Sequence, residues 1–438
     1  MPAQSERLGH PNENVPKKWE RFHSNTLTLA AQLYNIALIF GNLTNGWFGK
    51  GIHRYLSNHC LKPPNINQMN PIKRPYFIVL IAVLICSLHV ESSFSKEILK
   101  GYHTQSQIDF VKKQIKLKKE PFLSAFNAFI IKADSALLIE QHAVADFSVP
   151  GFYQDKDGHR KQSLAIQIDG FSAYTCALAY QLTGKKSYAD KAAYFLNAWA
   201  SINTKYSQLD GSLVMSYSGT TFMIAADLLR NYPGWKEKDQ QQFAGWTKNV
   251  FRHAANSIRF RNNNSGDWSR YASILADVYL NDQADLQENV KLIKKDLFDK
   301  IASDGHLVEE VKRQGNGIWY TYFSLAPLTA SFWVIYNQTG ENLFTLEKDG
   351  ASVKKALDFL LYANGHPEEW KWFKNPVTGQ VDTATGFWPA NLLEAMSNIY
   401  NSEPYRNFVK PYRPIVYPRH DYAWTYPTLM PLSLTNYK

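Results

Sequence analysis

The sequence predicts an all-α fold built from helical hairpins. Of its 438 residues, 45% are hydrophobic and 14% aromatic, which is enough apolar material for one large core and argues against disorder. From Thr104 onward apolar residues recur at helical spacing, and alternating patterns of strand length are nearly absent. Short turns with Gly, Pro or Asn separate the helices, without a strict repeat. We therefore expect a single α/α toroid, with a solenoid of hairpins as the alternative.

The N-terminal region has the layout of a secretory signal peptide. An uncharged apolar run at 76–88 follows Lys73 and Arg74 and precedes small residues up to Ser95. The run is shorter than the roughly 20 residues of a spanning helix. Because a signal peptide should begin a protein, we expect translation to start at Met69. The predicted segments are an extension, possibly untranslated, at 1–68, a signal peptide at 69–95 and the toroid domain at 96–438.

Two other interpretations of this region stay open: a genuine N-terminal extension and a retained membrane anchor. Lipidation at Cys86 is disfavoured because Ile85 before it is bulky. We expect a periplasmic or secreted protein without stable membrane insertion after cleavage. Its one remaining thiol, Cys176, allows neither an intramolecular disulfide nor a cysteine zinc site.

The charge balance of the predicted mature chain favours an anionic partner. The chain has 48 Lys and Arg against 38 Asp and Glu, and only nine and four of these precede residue 96. An excess of positive charge suits an anionic polysaccharide. Nucleic acid is the rival polyanion, but export and the lack of basic clusters or recognition motifs argue against it. The sequence leaves the oligomeric state open.

Helical patterns follow one another along this domain. One or two amphipathic helices cover the region after Thr104, and a polar, turn-rich stretch at 146–161 predicts a loop at a rim. The next helix ends at Gly184, which is placed as a C-terminal stop. The remaining helix predictions share the same apolar spacing and cover 164–182, 188–202, 221–230, 238–258, 268–280, 286–301, 318–336, 353–361 and 391–400.

Two polar segments beside apolar helices, 261–268 and 304–313, carry the candidate chemistry. Consecutive asparagines at 262–264 are good helix caps, so a structural role is the simplest interpretation of the first segment. In the second, Arg313 and Tyr320 are seven residues apart, close to two helical turns, which would place them on one face. Glycines between them would loosen that inference.

These segments resemble the alginate lyase family of polysaccharide lyases. The family motif contains Asn-Asn-His-Ser followed by Trp, then Asp and Glu-Leu-Lys-Arg, with a Tyr seven residues after that Arg. Here the segments are Asn-Asn-Asn-Ser-Gly-Asp-Trp and Glu-Val-Lys-Arg, with the same interval to Tyr320. The resemblance extends weakly over about 105–400 and is closest to polysaccharide lyase family 38, more distant from family 5. It implies an α/α toroid of six or seven hairpins with the polymer in a cleft.

The resemblance also implies roles for individual residues in the β-elimination of a uronate polymer, alginate or glucuronan. Asn263 matches the asparagine that binds the uronate carboxylate, Arg313 the arginine beside it, and Tyr320 the catalytic tyrosine. Neutralising the carboxylate makes the C5 proton removable. We expect Arg313 to lower the pKa of Tyr320, so that the tyrosine acts as base and then as acid toward O4. The family histidine falls at Asn264, which is a departure.

The missing histidine affects which uronates the protein is expected to cleave. In mannuronate and glucuronate the C5 proton and O4 lie on the same side, so one tyrosine can serve both, whereas guluronate needs a second group. The nearest substitute in sequence is His306, and the weaker candidates are His142, His253 and His420. A lone histidine is more often structural than catalytic.

Further residues near the motifs are candidates for substrate binding, although aromatic residues are more often core. These are Asn264, Gln167, Lys312, Trp268 and Tyr322. No cofactor is required, and no segment resembles a zinc or calcium ligand set.

Two rival functions remain open at the level of sequence. A glycoside hydrolase of toroid fold would need two carboxylates across the cleft. The available ones are Asp169, Asp267, Glu309 and Glu310. A non-catalytic polysaccharide-binding protein would use the same aromatic and basic residues without an ionisable tyrosine.

Overall fold

The computed structural model describes residues 99–379, 387–435 and 437. The chain divides between Lys96 and Glu97, and the described residues belong to the second unit. The predicted extension at 1–68 and the predicted signal peptide at 69–95 lie outside the described residues. Among the described helices, none combines the length and apolar character needed to cross a membrane.

The described unit is mostly helical, with two short two-stranded ladders. Strand β1 (Asp146–Ser148) pairs in parallel with β2 (Lys205–Ser207), and β3 (Glu347–Lys348) pairs antiparallel with β4 (Ala351–Ser352). The helices in chain order are α1 (Gln105–Lys116), α2 (Phe122–Ala136), α3 (Lys156–Thr183), α4 (Lys186–Ile202), α5 (Gly211–Leu229), α6 (Glu237–Trp246), α7 (Arg252–Ile258), α8 (Asn264–Leu280), α9 (Gln283–Lys300), α10 (Gly317–Thr339), α11 (Val353–Gly365), α12 (Ala390–Ile399) and α13 (Glu403–Val409).

Four long helices form an inner row in the order α3, α5, α8 and α10, each packed against the next. Nearly every residue of α5 and α8 is buried, so neither has a solvent-facing stripe. Helices α4, α7, α9 and α11 pack on the outside of this row. Helix α6 continues into α7 through a π-helical turn at Thr247–Phe251. In the described part of the chain, consecutive helices form six hairpins, the arrangement of an α/α toroid.

Small residues let the inner helices approach closely. A Cβ on Gly170 of α3 would lie 2.3 Å from the Thr221 hydroxyl oxygen of α5. Only glycine therefore allows this separation between the two backbones. The close packing holds the N-terminal turns of the inner helices, and the loops before them, in fixed positions at one end of the row.

Local capping chemistry explains most helix boundaries. The Asp155 carboxylate accepts from the Gly158 amide (2.8 Å) at the start of α3, which ends at Gly184 with φ 74°. Asn263 caps α8 by accepting from the Ser265 amide (3.0 Å), and Asn281 in the left-handed region ends it.

The structure confirms the predicted succession of helices and adds α13, which was not predicted; two regions differ most from their predicted boundaries. The loop predicted over 146–161 is shorter, because it contains β1 and the first turn of α3. Helix α5 begins at Gly211, ten residues before the predicted start, since the Gly- and Ser-rich sequence of its first turns hides the helical pattern. Those small side chains are buried in the inner row.

Candidate active site

A cleft of about 940 Å³ opens at the N-terminal ends of the inner helices. Its walls come from segments far apart in sequence: the loop before α3 and the first turns of that helix, the start of α5, the loop before α8, the start of α10, and Arg419 with His420. The fold brings these segments together because the inner helices lie side by side.

Arg313 and Tyr320 both line this cleft and contact each other. Arg313 lies in a 3₁₀ turn at Val311–Asn316, and Tyr320 lies in the first turn of α10. The backbone between them is not one helix, because Gln314 has φ 52° and ψ −126°. The Arg313 guanidinium carbon nevertheless lies 4.9 Å from the centre of the Tyr320 ring. Arg313 and Tyr320 are therefore close together, as predicted. A sharp turn brings them together, and not a common face of one helix.

A second tyrosine contacts the Tyr320 hydroxyl. The hydroxyl oxygens of Tyr153 and Tyr320 lie 2.9 Å apart, and Tyr153 is exposed in the loop before α3. Burial and this hydrogen bond raise the pKa of Tyr320, and the Arg313 charge only partly offsets them. The Arg313 charge lowers the pKa of Tyr320, as expected, but burial and the Tyr153 hydroxyl outweigh it, so the net change is a raised pKa. Its hydroxyl is protonated and able to donate.

The asparagine pair at the start of α8 is held by a carboxylate of the protein. Asn263 lines the cleft, and Asn264, beside it, is buried. The Glu310 carboxylate accepts from the Asn264 backbone amide (2.6 Å) and from its side-chain amide (2.7 Å). Glu310 also lies 3.8 Å from the Arg313 Nε atom. Burial raises the pKa of Glu310 to about 7. The Asn264 side chain is therefore held by the protein itself.

Two histidines line the cleft. His159 lies in the first turn of α3, with Nε2 3.5 Å from the Asp210 carboxylate. Burial lowers the pKa of His159, with Asp210 opposing the change. His420 packs 5.3 Å from the Tyr217 ring, and burial together with the charge of Arg419 lowers its pKa to about 3. Both imidazoles are neutral at pH 7. His159 was not among the histidines that the sequence singled out.

His306 does not line the cleft. Its Nδ1 atom lies 2.6 Å from the Asp304 carboxylate, and its ring lies 5.0 Å from that of Trp372. His142 is bound to Asp169, and His253 to a tyrosine hydroxyl, both away from the cleft lining. The prediction that His306 takes the place of the missing family histidine is therefore not supported.

The predicted substrate contacts divide into two groups. Gln167 and Asn264 line the cleft, although the Asn264 amide is already bound to Glu310. Trp268 and Tyr322 are fully buried, and Lys312 is exposed outside the cleft, paired with Glu309 (2.7 Å). Trp268 and Tyr322 lie on the buried faces of inner helices and belong to the core. Their closeness in sequence to the motifs therefore did not bring them to the cleft.

The arrangement of carboxylates does not suit a glycoside hydrolase. Asp169 is bound by His142 and Trp199, and Asp267 is buried in an ion pair with Lys300. Glu309 and Glu310 also lie outside the cleft lining. Among the described residues, the cleft wall contains one carboxylate, Asp210. A pair of carboxylates on opposite sides of a sugar is therefore missing from this wall.

Positive charge dominates the cleft. Among the described residues that line it, one carboxylate lies with five cationic side chains, which are Lys156, Arg160, Arg261, Arg313 and Arg419. Arg419 also stacks on the Trp319 ring, 4.8 Å from its centre. The described residues include no group of three or more His, Cys, Asp and Glu side chains that could hold a metal ion.

Comparison with known proteins gives a family and a fold. A family model described as alginate lyase matches residues 138–370, more than half of the chain. No curated protein sequence matches the chain significantly. An alginate lyase structure from Bacteroides ovatus aligns with a TM-score of 0.59 at 18% identity, covering 74% of this chain and 98% of that one.

Structures of alginate lyase A1-III are also similar. The enzyme from Sphingomonas species A1 aligns with a TM-score of 0.59 at 17% identity, covering 78% of this chain and 99% of that one. A tyrosine-to-phenylalanine variant of A1-III in complex with a tetrasaccharide gives 0.61 at 16% identity, covering 78% and 99%. These similarities confirm the predicted α/α toroid.

Proposed function

Since the chain belongs to the alginate lyase family and is a polysaccharide lyase, we propose that it cleaves a 1,4-linked uronate polymer, polymannuronate or glucuronan, by β-elimination. The observation that supports this most directly is the contact of Arg313 with Tyr320 in a cleft that Asn263 also lines. The five cationic side chains of the cleft complement a chain that carries one carboxylate per sugar.

Asn263 and Arg313 neutralise the carboxylate of the sugar to be cleaved. Amide and guanidinium donors stabilise the negative charge that develops on that carboxylate as the C5 proton leaves. The electron pair of the C5–H bond then forms the C4–C5 double bond, the C4–O4 bond breaks, and O4 receives a proton. The products are a new reducing end and an unsaturated uronate.

Tyr320 transfers the protons in this scheme. Its hydroxyl is protonated in the free protein and bound to Tyr153. To act as base it first gives this proton to solvent water, and release from Tyr153 together with the Arg313 charge favours that loss. The phenolate then takes the C5 proton and passes the same proton to O4, which returns the tyrosine to the phenolate form. In mannuronate and glucuronate one tyrosine reaches both atoms, because they lie on the same side of the ring.

The substitution at residue 264 favours substrates of this same-side type. Asn264 is not a base, and its amide is bound to Glu310. For guluronate, the group in the cleft best suited to take a proton from the opposite side is His159, a neutral imidazole 3.5 Å from Asp210. His159→Gln should therefore reduce any cleavage of polyguluronate more than cleavage of polymannuronate.

Export belongs to the same proposal. The signal-peptide pattern before Ser95 and the positive charge after it suit a protein that meets its polymer in the periplasm or outside the cell. The N-terminal sequence of the protein recovered from cell fractions tests this. A mature protein that begins close to Lys96 supports export, and a cytosolic protein that retains the preceding segment contradicts it.

The activity is tested by incubating the full chain with polymannuronate, polyguluronate and glucuronan while following the ultraviolet absorbance of the unsaturated uronate. We expect an absorbance increase with one of the same-side polymers. Tyr320→Phe should abolish the increase, whereas the matched control Tyr362→Phe, an exposed tyrosine outside the cleft, should not. New reducing ends without absorbance would instead indicate a hydrolase. Binding without either signal would indicate a non-catalytic protein.

A further inference from the structure

Outside the cleft, aromatic side chains form an exposed surface on the loop that follows α11. Trp372 and Phe373 are 36% and 42% exposed, whereas Trp370, next to them, is buried. We call Trp372 and Phe373 the aromatic platform. The two residues are consecutive in sequence, and adjacent exposed aromatic residues are candidates for a binding surface.

Three neighbouring rings hold the Trp372 ring in place. It lies 4.8 Å from the Trp370 ring, 5.0 Å from the His306 ring and 6.0 Å from the Phe359 ring, measured between centres. The bond to Asp304 in turn fixes the His306 imidazole. The exposed part of Trp372 is therefore a preorganised flat surface and not a freely rotating side chain.

The platform adjoins the wall of the cleft. A Cβ on Gly315 would lie 3.2 Å from the Phe373 ring, and the Val377 amide donates to the Gly315 carbonyl (2.7 Å). Gly315 lies in the turn that carries Arg313 and Asn316, both of which line the cleft. A polymer leaving the cleft past this turn would meet Phe373, and Trp372 is the preceding residue of the same loop.

The charges around the platform suit an acidic sugar. Lys371 and Lys374 are exposed on the same loop. Two nearby acidic groups are already engaged, since Glu369 accepts from the Tyr362 hydroxyl (2.7 Å) and Asp304 is bound to His306. The apolar face of a pyranose ring stacks on aromatic rings, and its carboxylate can pair with a lysine.

We propose that the aromatic platform is a distal subsite that binds uronate residues of the polymer several units away from the bond that is cleaved. The proposal rests on the proposed lyase function and adds a specificity element to it, a preference for long chains over short oligosaccharides. It also gives His306 a role in positioning the Trp372 ring, in place of a catalytic one.

The test compares Trp372→Ala and Phe373→Ala with the wild-type protein on the polymer and on a short oligosaccharide of the same uronate. We expect kcat/KM on the polymer to fall roughly tenfold through KM, with kcat unchanged. The value on the short substrate should not change. Tyr194→Ala, which removes an exposed aromatic ring on α4, is the matched control and should behave as wild type. Thermal unfolding shows whether each variant is folded.

A binding measurement separates this proposal from the lyase proposal. In a Tyr320→Phe background, calorimetric titration with uncleaved polymer should show roughly tenfold weaker binding when Trp372 is replaced by alanine, and a smaller loss with Trp372→Phe. An active enzyme whose platform variants bind and cleave long and short substrates as wild type does would overturn the subsite and leave the lyase function intact. A protein that neither binds nor cleaves any uronate polymer would overturn both.

Discussion

Replacing Glu310 by glutamine should change how the stability of the protein depends on pH. Glu310 is 1% exposed and lies next to Arg313 and Asn264, which couple it to the site. Burial raises its pKa from 4.5 to about 7. A carboxyl group whose pKa is higher in the folded than in the unfolded state stabilises the fold at low pH. This contribution is present below pH 4.5 and is lost as the pH rises through about 7.

The size of the effect follows from the change in pKa. At about 1.4 kcal/mol per pH unit, the rise to about 7 corresponds to roughly 3 kcal/mol. Glutamine does not titrate. The free energy of unfolding of the variant therefore does not decrease in this way as the pH rises. Other buried carboxyl groups, such as Asp421 with a pKa of about 7, titrate in both proteins and cancel in the comparison.

Urea unfolding of both proteins at several pH values between about 4 and 8 measures the difference directly. The stability of wild type minus variant should fall by roughly 3 kcal/mol over this range. Glu309→Gln, which removes an exposed carboxylate one residue earlier, is the matched control and should show no such trend. Parallel curves for wild type and Glu310→Gln would refute the assignment of a raised pKa to this buried carboxyl group.

Three further changes test the site and its support. Tyr153→Phe removes the hydrogen bond that raises the pKa of Tyr320, so the limb of the pH–rate profile that reports tyrosine deprotonation should move to lower pH; an unchanged profile would contradict the contact. Lys300→Met leaves the buried Asp267 without its cation and should cost about 3–5 kcal/mol by urea unfolding, with a loss below 1 kcal/mol contradicting it. Gly266→Ala places a Cβ 1.8 Å from a backbone carbonyl of the preceding loop; it should lower kcat/KM at least tenfold by shifting that loop, and wild-type kinetics would contradict this.

The fold could be predicted from the sequence because helical periodicity and turn residues determine it locally. Gly184 ends α3 where the sequence placed a stop, and the absence of alternating patterns excluded a large sheet. The start of α5 could not be predicted, since Gly and Ser in its first turns are poor helix formers in isolation. Packing between inner helices stabilises those turns, and sequence periodicity does not report such packing.

The candidate site was only partly predictable. Arg313 and Tyr320 lie close together in sequence and were found through their spacing, but Tyr153 comes from a loop 167 residues earlier. His159, which the sequence did not single out, likewise comes to the cleft from another part of the domain, whereas His420, one of the weaker sequence candidates, does line it. Such contacts depend on which inner helices are neighbours, and a single sequence does not show that.

The charge state of Tyr320 shows the same limit. The sequence identified the Arg313 charge that lowers its pKa, but burial and the Tyr153 hydroxyl have the larger effect. Both follow from tertiary structure. Desolvation of a tyrosine becomes visible only when the surrounding helices are placed.

The central claim, β-elimination by Tyr320, is tested most directly by the mass of the products formed from polymannuronate or glucuronan. Elimination gives a fragment with a C4–C5 double bond that is one water lighter than the corresponding hydrolysis product. We predict such unsaturated fragments with the wild-type protein and none with Tyr320→Phe. Products that all have the full hydrolytic mass, with no unsaturated fragment among them, or unsaturated fragments that persist in the Tyr320→Phe variant, would contradict the account.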